Sequence, residues 1–265
     1  MKNFVFIISF LFLTLTHLIA QPDKTHPWNG KQCAVALTYD DGLNVHLDQV
    51  IPLLDSTGFQ GTFYIPGNAP ALNQRMAEWR SAAEKGHELG NHTLFHPCAG
   101  QSKGREWVNP NYDLDNYTIT QMVDEIILAN TLLKAIDAKS SRTFAYTCGD
   151  QSVEDSVFTG LIQDDFTGAR GVTSKIQQLK DVDLYDIGAY MINGQTGDEL
   201  IERVKEAQQK EALLVFLFHG VGGEHNLNVS LKAHRKLVNY LKQQEEEIWV
   251  APMVEISKYI MKQKN

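Results

Sequence analysis

Two adjacent carboxylates stand at the end of a short apolar run in this sequence. Asp40 and Asp41 follow residues 34–37, and Gly42 comes directly after them. Neighbouring side chains of an extended chain point to opposite faces, so a turn at Gly42 has to redirect one carboxylate if both serve one site. A bound metal ion would explain why two carboxylates lie together, because one can be a ligand of the metal while the other remains free to act as a base. Asp-Asp-Gly is also ordinary turn chemistry, and taken alone it leaves both interpretations open.

A pair of histidines, His92 and His96, follows the strand-like residues 87–91. Histidines four positions apart share a face over one helical turn, which lets both imidazoles reach one metal ion. Pro97 disfavours the α conformation at His96, so the turn is expected to end there. Either histidine alone would fit a core or surface role, but the spacing of the two after a strand favours a metal site.

A further histidine, His219, ends the apolar run at residues 213–218 and precedes the glycine-rich residues 220–223. A strand can end in histidine for packing alone. The glycine-rich segment has no bulk to cover the imidazole, which favours an accessible and functional side chain.

Short apolar runs that can carry these groups alternate with helical patterns from residue 33 onwards. The predicted strands cover residues 33–39, 61–65, 87–91, 143–146, 187–192, 212–218 and 248–250. The predicted helices cover residues 46–55, 73–85, 120–137, 197–209, 230–242 and 254–262. Such alternation predicts a single α/β domain of βα units, with about seven parallel strands in a complete or distorted barrel. A barrel would bring the polar strand ends to one face.

The first twenty residues predict a secretory signal peptide, with Lys2 before an apolar run at residues 4–13 and a cleavage point after Ala20. Residues 21–265 would then form the catalytic domain of a secreted or periplasmic protein. An uncleaved membrane anchor is the alternative, but a membrane span needs a longer apolar run, of about 18 residues or more. After cleavage no membrane contact is expected, and the oligomeric state stays open.

The charge of the chain disfavours a nucleic-acid partner. Loss of Lys2 with the leader changes the formal net charge from −8 to −9, whereas phosphate binding depends on a basic surface. The composition, with 43% hydrophobic and 21% charged residues, is that of a globular domain and excludes disordered and collagen-like classes.

The three cysteines, Cys33, Cys98 and Cys148, cannot all pair within one chain. Cys98 and Cys148 both lie near the motifs, so a bridge between them, two buried thiols, or an additional soft metal ligand are all open. Buried thiols are favoured, because a free cysteine behaves as a small core hydrophobe.

The motifs in this order resemble those of the polysaccharide deacetylase family, the family 4 carbohydrate esterases. Residues 38–42 are similar to the first motif of the family, residues 92–97 to the second, and residues 217–219 to the last. The resemblance extends from residue 33 to about residue 255. It implies a distorted (β/α) barrel that removes O- or N-acetyl groups from an acetylated carbohydrate.

The resemblance also implies the roles of the site residues. It makes Asp41, His92 and His96 the ligands of one divalent metal ion, Zn²⁺ or a related ion. It makes Asp40 the general base and His219 the general acid, with the backbone N–H of Tyr146 donating to the oxyanion.

The middle of the chain departs from the family pattern. Arg142 stands one position too far from Tyr146 and the expected proline is absent, so we expect Arg170 to replace the family arginine beside Asp40, with Arg142 as the alternative. Asp183 or Asp186 is expected to orient His219.

The loop at residues 97–117 is long and carries Trp107, Tyr112 and Tyr117. Such loops are commonly functional or mobile, and we expect this one to line the substrate groove, with Trp107 as a platform for a sugar ring. The alternative is that Trp107 caps a hydrophobic edge of the barrel.

Two other functions remain open from the sequence. The first is metal-dependent hydrolysis of a different amide or ester, such as a small cyclic amide. The second is a carbohydrate-binding barrel without catalysis. The presence of a base, an acid and three ligands favours the deacetylase.

Overall fold

The computed structural model describes residues 26–264, so the predicted signal peptide at residues 1–20 lies outside the described residues. The strands are β1 Cys33–Asp40, β2 Thr62–Ile65, β3 Glu88–Asn91, β4 Phe144–Ala145, β5 Ser152–Val153, β6 Ser156–Val157, β7 Ala169–Arg170, β8 Gln177–Gln178, β9 Tyr190–Met191, β10 Ala212–Phe218, β11 Gly220–Val221, β12 Asn228–Val229 and β13 Ile248–Val250. The helices are α1 Ile51–Thr57, preceded by a π-helical turn His46–Val50, α2 Pro70–Gln74, α3 Met76–Glu84, α4 Ile119–Asp137, α5 Thr159–Ile162, α6 Gly197–Gln209, α7 Leu231–Gln243 and α8 Met253–Lys264. Within residues 26–264 no helix has the length and apolar character needed to cross a membrane.

The main sheet is curled and mostly parallel, which confirms the predicted distorted barrel in a single α/β domain. Its strands lie in the order β7-β4-β3-β2-β1-β10-β8, while β13 pairs with β1 and β9 with β10. Strand β8 is antiparallel to β10. An isolated parallel bridge also pairs Arg170 of β7 with Ile187, three residues before β9.

Strands β1 and β10 are buried on both faces, as expected for central parallel strands. Val35 and Leu37 point outward into a core that includes residues of α1, α6 and α7. Ala34 and Ala36 point inward, where they pack with alternate residues of β10. Because side chains alternate along a strand, Asp40 falls on the inward set and Tyr39 on the outward set.

Several predicted elements differ from those observed. The predicted strand at residues 187–192 is reduced to β9, and the predicted helix at 73–85 is two helices that meet at Arg75. Strands β7 and β8 were not predicted, because two residues are too few to show a period. The short strands β5, β6, β11 and β12 and the one-turn helix α5 were not predicted either. The other predicted strands and helices agree with the observed ones to within a few residues.

Cys98 and Cys148 form a disulfide, with their Cα atoms 5.8 Å apart. The prediction of two buried thiols is therefore wrong for this pair, while Cys33 is the free and buried cysteine of the described part of the chain. The bridge fastens the loop at residues 97–117 to the end of β4, and an ion pair of 2.5 Å between Arg105 and Asp150 adds a second attachment.

Candidate metal centre

The two aspartates separate at the carboxyl end of β1. The strand continues through Asp40, and the chain reverses at Asp41 and Gly42, whose φ angles are +76° and +59°. The reversal thus begins at Asp41 itself, not at Gly42 as predicted. A Cβ atom at position 42 would lie 2.8 Å from Cγ2 of Ile65, so glycine is required there both for its φ and for space.

His92 and His96 lie in a loop after β3 and share no helical turn, so the predicted helical face is wrong. Thr93 and His96 both have positive φ angles. Side-chain oxygens accept hydrogen bonds from two backbone N–H groups of this loop. The Thr93 N–H donates to Oδ1 of Asn91 at 2.9 Å, and the His96 N–H donates to Oγ1 of Thr93 at 2.9 Å. Even so, the two imidazole centroids lie 4.7 Å apart.

Asp41, His92 and His96 each offer one ligand atom, and these atoms lie within 4.8 Å of one another. Oδ1 of Asp41 is 3.4 Å from Nε2 of His96 and 3.9 Å from Nε2 of His92. Nδ1 of His92 lies 2.9 Å from the Ala145 carbonyl oxygen; donation there leaves the Nε2 lone pair for a metal ion. Burial lowers the pKa of His92 to about 4, so the imidazole is neutral, as ligation requires. This donor set fits a divalent cation.

Asp40 forms an ion pair with Arg170, with 2.5 Å between Oδ2 and Nη2. Burial alone would raise the pKa of Asp40, but the guanidinium of Arg170 holds it below its usual value. Oδ1 of Asp40 has no hydrogen-bond partner among residues 26–264. The carboxylate is thus ionised and has one oxygen free to accept a proton.

Arg142 does not reach Asp40. Its guanidinium lies 3.2 Å from both carboxylate oxygens of Asp137 and donates to the carbonyl of Leu89 at 2.6 Å. Of the two arginines considered from the sequence, Arg170 is therefore the one beside Asp40, as expected.

His219 follows β10 and faces the same site, with its Nε2 3.9 Å from Oδ2 of Asp41. Burial lowers the pKa of its imidazole. Its carbonyl oxygen lies 2.8 Å from Nε2 of His46, a residue that sequence reasoning missed. His46 is neutral, because Nδ1 accepts from the Leu43 N–H and Nε2 therefore carries the hydrogen.

The expected carboxylate partner of His219 is wrong. Asp183 accepts from the Tyr185 N–H at 2.9 Å, and Asp186 contacts Gln151 and Lys175. These contacts hold both carboxylates away from His219, whose Nδ1 has no hydrogen-bond partner among residues 26–264.

Tyr146 is also placed differently from the expectation. Its N–H donates to the Arg170 carbonyl at 3.2 Å, as part of the pairing of β4 with β7. Its hydroxyl donates to the carbonyl of Tyr185 at 2.8 Å. The strand pairing that brings Arg170 to Asp40 thus occupies the donor that was assigned to the oxyanion.

Sequence reasoning missed two more residues near the site. His225 lies with Nε2 3.7 Å from Oδ2 of Asp41, and a histidine so soon after the glycine-rich residues 220–223 was an available signal. Glu125, on α4, accepts from the Phe95 N–H at 3.3 Å and from the Tyr117 hydroxyl at 2.6 Å. It steadies the loop between His92 and His96, and no local sequence pattern links it to them.

Aromatic side chains lie close to the histidine loop. Phe95 and Tyr112 stack with centroids 5.1 Å apart and an interplanar angle of 11°. Trp107 is 64% exposed, so the alternative in which it caps a hydrophobic edge is wrong.

A curled, mostly parallel sheet carries the Asp-His-His group at its carboxyl edge. This is the arrangement expected from the resemblance to polysaccharide deacetylases, and the sequence match agrees with it. The family model for polysaccharide deacetylases matches residues 29–160, which include both aspartates and the histidine pair. The chain belongs to the polysaccharide deacetylase family.

The uncharacterized protein YlxY of Bacillus subtilis (strain 168) is 29% identical over 105 residues, which is 39% of this chain. The chain spans about a third of the length of that curated relative, 32%.

Solved structures share the fold at low sequence identity. A Mycobacterium smegmatis protein named as a polysaccharide deacetylase superposes with a TM-score of 0.64 at 15% identity, over 93% of this chain and 94% of that chain. Bacillus subtilis PdaA, a family 4 carbohydrate esterase, gives 0.55 at 15% identity, over 89% and 82%. Bacillus anthracis BA3943, a pseudoenzyme of the same family, gives 0.53 at 15% identity, over 84% and 65%. These likenesses concern the fold alone.

Proposed function

We propose that this protein is a metal-dependent hydrolase that removes acetyl groups from a carbohydrate. The observation that carries the proposal is the convergence of ligand atoms from Asp41, His92 and His96 beside the buried pair of Asp40 and Arg170. A structural ion-pair cluster would not need an aspartate with one free oxygen at the same edge.

The chain's own residues supply the proton transfers. A bound divalent ion would polarise the acetyl carbonyl and favour ionisation of water. Oδ1 of Asp40 takes a proton from the attacking water, and Arg170 keeps that carboxylate ionised beforehand. The protonated imidazole of His219 donates the proton on Nε2 to the departing sugar oxygen or nitrogen as the bond from that atom to the acetyl carbon breaks. Acetate and a free hydroxyl or amine result.

The surroundings of the site support a carbohydrate substrate. Trp107 is exposed in the loop that follows the ligands, and Phe95, between the two ligand histidines, is stacked on Tyr112. Aromatic faces are suited to cover the apolar face of a sugar ring. The residues described would act in the same way on an O-acetyl group and on an N-acetyl group.

We also propose that residues 1–20 direct export and that the mature protein is secreted or periplasmic. The disulfide between Cys98 and Cys148 supports this, because such bonds persist in oxidising compartments and are rare in the cytosol.

Acetate release from an acetylated xylan and from a chitin oligosaccharide, each with and without a chelator, tests the proposed function. We expect release from one of them, loss with chelator, and recovery when Zn²⁺ is restored. Release that survives complete removal of metal would contradict the metal-dependent mechanism. Turnover of only non-carbohydrate esters or amides would favour the second hydrolase, and sugar binding without any turnover would favour a pseudoenzyme like BA3943.

A further inference from the structure

His219 lacks the carboxylate that would ordinarily hold a catalytic imidazole in place. Its Nδ1 is buried and without a hydrogen-bond partner among residues 26–264. The bond from His46 fixes the backbone carbonyl of His219 but leaves rotation of the ring free. Something else must set the plane of the imidazole if Nε2 is to deliver a proton.

His225 lies against the ring of His219. The two imidazoles are stacked, with centroids 4.6 Å apart and an interplanar angle of 14°. Nδ1 of His225 accepts from the Leu227 N–H at 3.0 Å, so the hydrogen of this ring is on Nε2. That Nε2 is 3.7 Å from Oδ2 of Asp41, the same oxygen that lies 3.9 Å from Nε2 of His219.

Both rings therefore present Nε2 to one side of the Asp41 carboxylate. Oδ1, on the other side, faces His92 and His96. This division leaves the Oδ1 side for the metal ion and the Oδ2 side for the stacked pair.

The segment that carries His225 is fastened to the loop that follows β1. The side chain of Glu224 accepts from Nδ2 of Asn44 and from the Val45 N–H, both at 2.7 Å. Behind it, β11 pairs with β12, and the Gly223 N–H donates to Oδ1 of Asn228 at 2.9 Å. These hydrogen bonds hold the segment and the ring of His225 in place, so the ring does not move as freely as an ordinary surface side chain.

We propose that His225 is a positioning residue for His219: its ring holds the general acid in the orientation that faces the leaving group. This inference rests on the proposed function, because it assigns His219 a proton-transfer role. The stacked ring performs the task that an aspartate bonded to Nδ1 would otherwise perform.

The test compares His225→Ala and His225→Phe with the wild type and with Asn226→Ala, an exposed neighbour in the same loop. Each is assayed on a sugar acetate and on 4-nitrophenyl acetate, whose leaving group needs no protonation. For His225→Ala on the sugar acetate we expect kcat to fall by about tenfold or more with KM nearly unchanged, since small misplacements of catalytic groups are costly. The loss should shrink on the aryl ester, and bound metal should stay at the wild-type level.

Two comparisons separate positioning from a general structural role. His225→Phe should recover most of the lost kcat, because it restores a flat ring without an N–H. The double variant with His219→Ala should be no slower than His219→Ala alone, since two residues that act through one step are not additive. Equal losses on both esters, loss of metal in His225→Ala, or no recovery in His225→Phe would each overturn the proposal.

A crystal structure of each variant tests the inference without relying on turnover. His219 should hold one ring orientation in the wild type and in His225→Phe, and a rotated or split orientation in His225→Ala. If the wild type releases no acetate, the proposed function fails, while the orientation of His219 still decides the role of His225. An unchanged His219 ring in His225→Ala would overturn the proposal.

Discussion

Two carboxylates that are adjacent in sequence have different surroundings in this protein. Asp40 is buried inside the barrel against Arg170, whereas Asp41 lies at the edge between two pairs of histidines. One additional residue of strand, followed by a positive φ at Asp41, produces the difference. Substitution of each aspartate in turn should therefore distinguish the general base, Asp40, from the metal ligand, Asp41.

We predict that Asp40→Asn keeps the metal and lowers kcat by about a hundredfold or more, because an amide cannot take up the proton. Asp41→Asn is the matched comparison and should lose metal affinity instead. Metal content and steady-state kinetics of both proteins measure this. A fall of less than tenfold in Asp40→Asn would mean that another group is the base.

The pair of Asp40 and Arg170 predicts a change in pH dependence. Arg170 lowers the pKa of Asp40, so Arg170→Met should raise that pKa and leave the carboxylate protonated at higher pH. As the pH is lowered, activity should then fall at a higher pH than in the wild type. The acidic limb of kcat/KM against pH measures the shift.

Arg142→Met is the control, because Arg142 is equally buried and pairs with Asp137 instead. It should lower stability by about 3 to 5 kcal/mol, as expected when one partner of a buried pair is removed, and leave the acidic limb in place. An unmoved limb in Arg170→Met, or a moved limb in Arg142→Met, would contradict the assignment.

At the scale of elements, the loop after β3 acquires its shape from distant parts of the chain. Sγ of Cys98 lies 3.6 Å from Nδ1 of His96, whose Nε2 faces the metal side of Asp41. The disulfide to Cys148 therefore stands behind a ligand, where groups that orient metal-bound histidines are found.

We predict that replacing Cys98 and Cys148 together by serine weakens metal affinity by about tenfold to a hundredfold, the usual cost of losing such a support. Competition with a chelator of known affinity measures it. Cys33→Ala leaves the disulfide intact and serves as the control. Equal metal affinity in the double serine variant and the wild type would show that the bridge supports only the loop.

The same loop carries Trp107, whose exposed side chain leads to a second prediction about this loop. Trp107→Ala should raise KM for an oligosaccharide several-fold, spare a small acetyl ester and leave the melting temperature nearly unchanged. For comparison, Trp79→Ala removes a fully buried ring and should cost about 3 to 5 kcal/mol of stability. A parallel loss on both substrates after Trp107→Ala would argue against a sugar subsite.

At the scale of the whole molecule, the curled sheet brings the ends of β1, β3, β7 and β10 to one edge. Arg170 reaches Asp40 across 130 positions in sequence, and His219 comes from β10, which pairs with β1 over six residues. The site residues are therefore supplied by the ends of four different strands, so the barrel has to form before the site exists.

The sequence by itself determined the barrel class and located the candidate site residues at the ends of predicted strands. Long apolar runs such as β1 and β10 are continuous and buried on both faces, and the polar residues at their ends mark the edge where a site forms. The sequence favoured Arg170 over Arg142, because the spacing of Arg142 from Tyr146 departed from the family pattern, and the ion pairs of the folded chain decided between them.

Only the tertiary structure decided which groups support those residues. Strands of two residues, such as β7, have no period to detect, yet β7 delivers Arg170 and occupies the Tyr146 N–H. The loop of His92 and His96 is shaped by Asn91, Thr93 and Glu125 through contacts that span up to thirty positions. Stacking of His225 on His219 likewise depends on how a loop closes. Local sequence predicts which segments are buried, whereas these contacts depend on distances between segments, which exist only once the chain has folded.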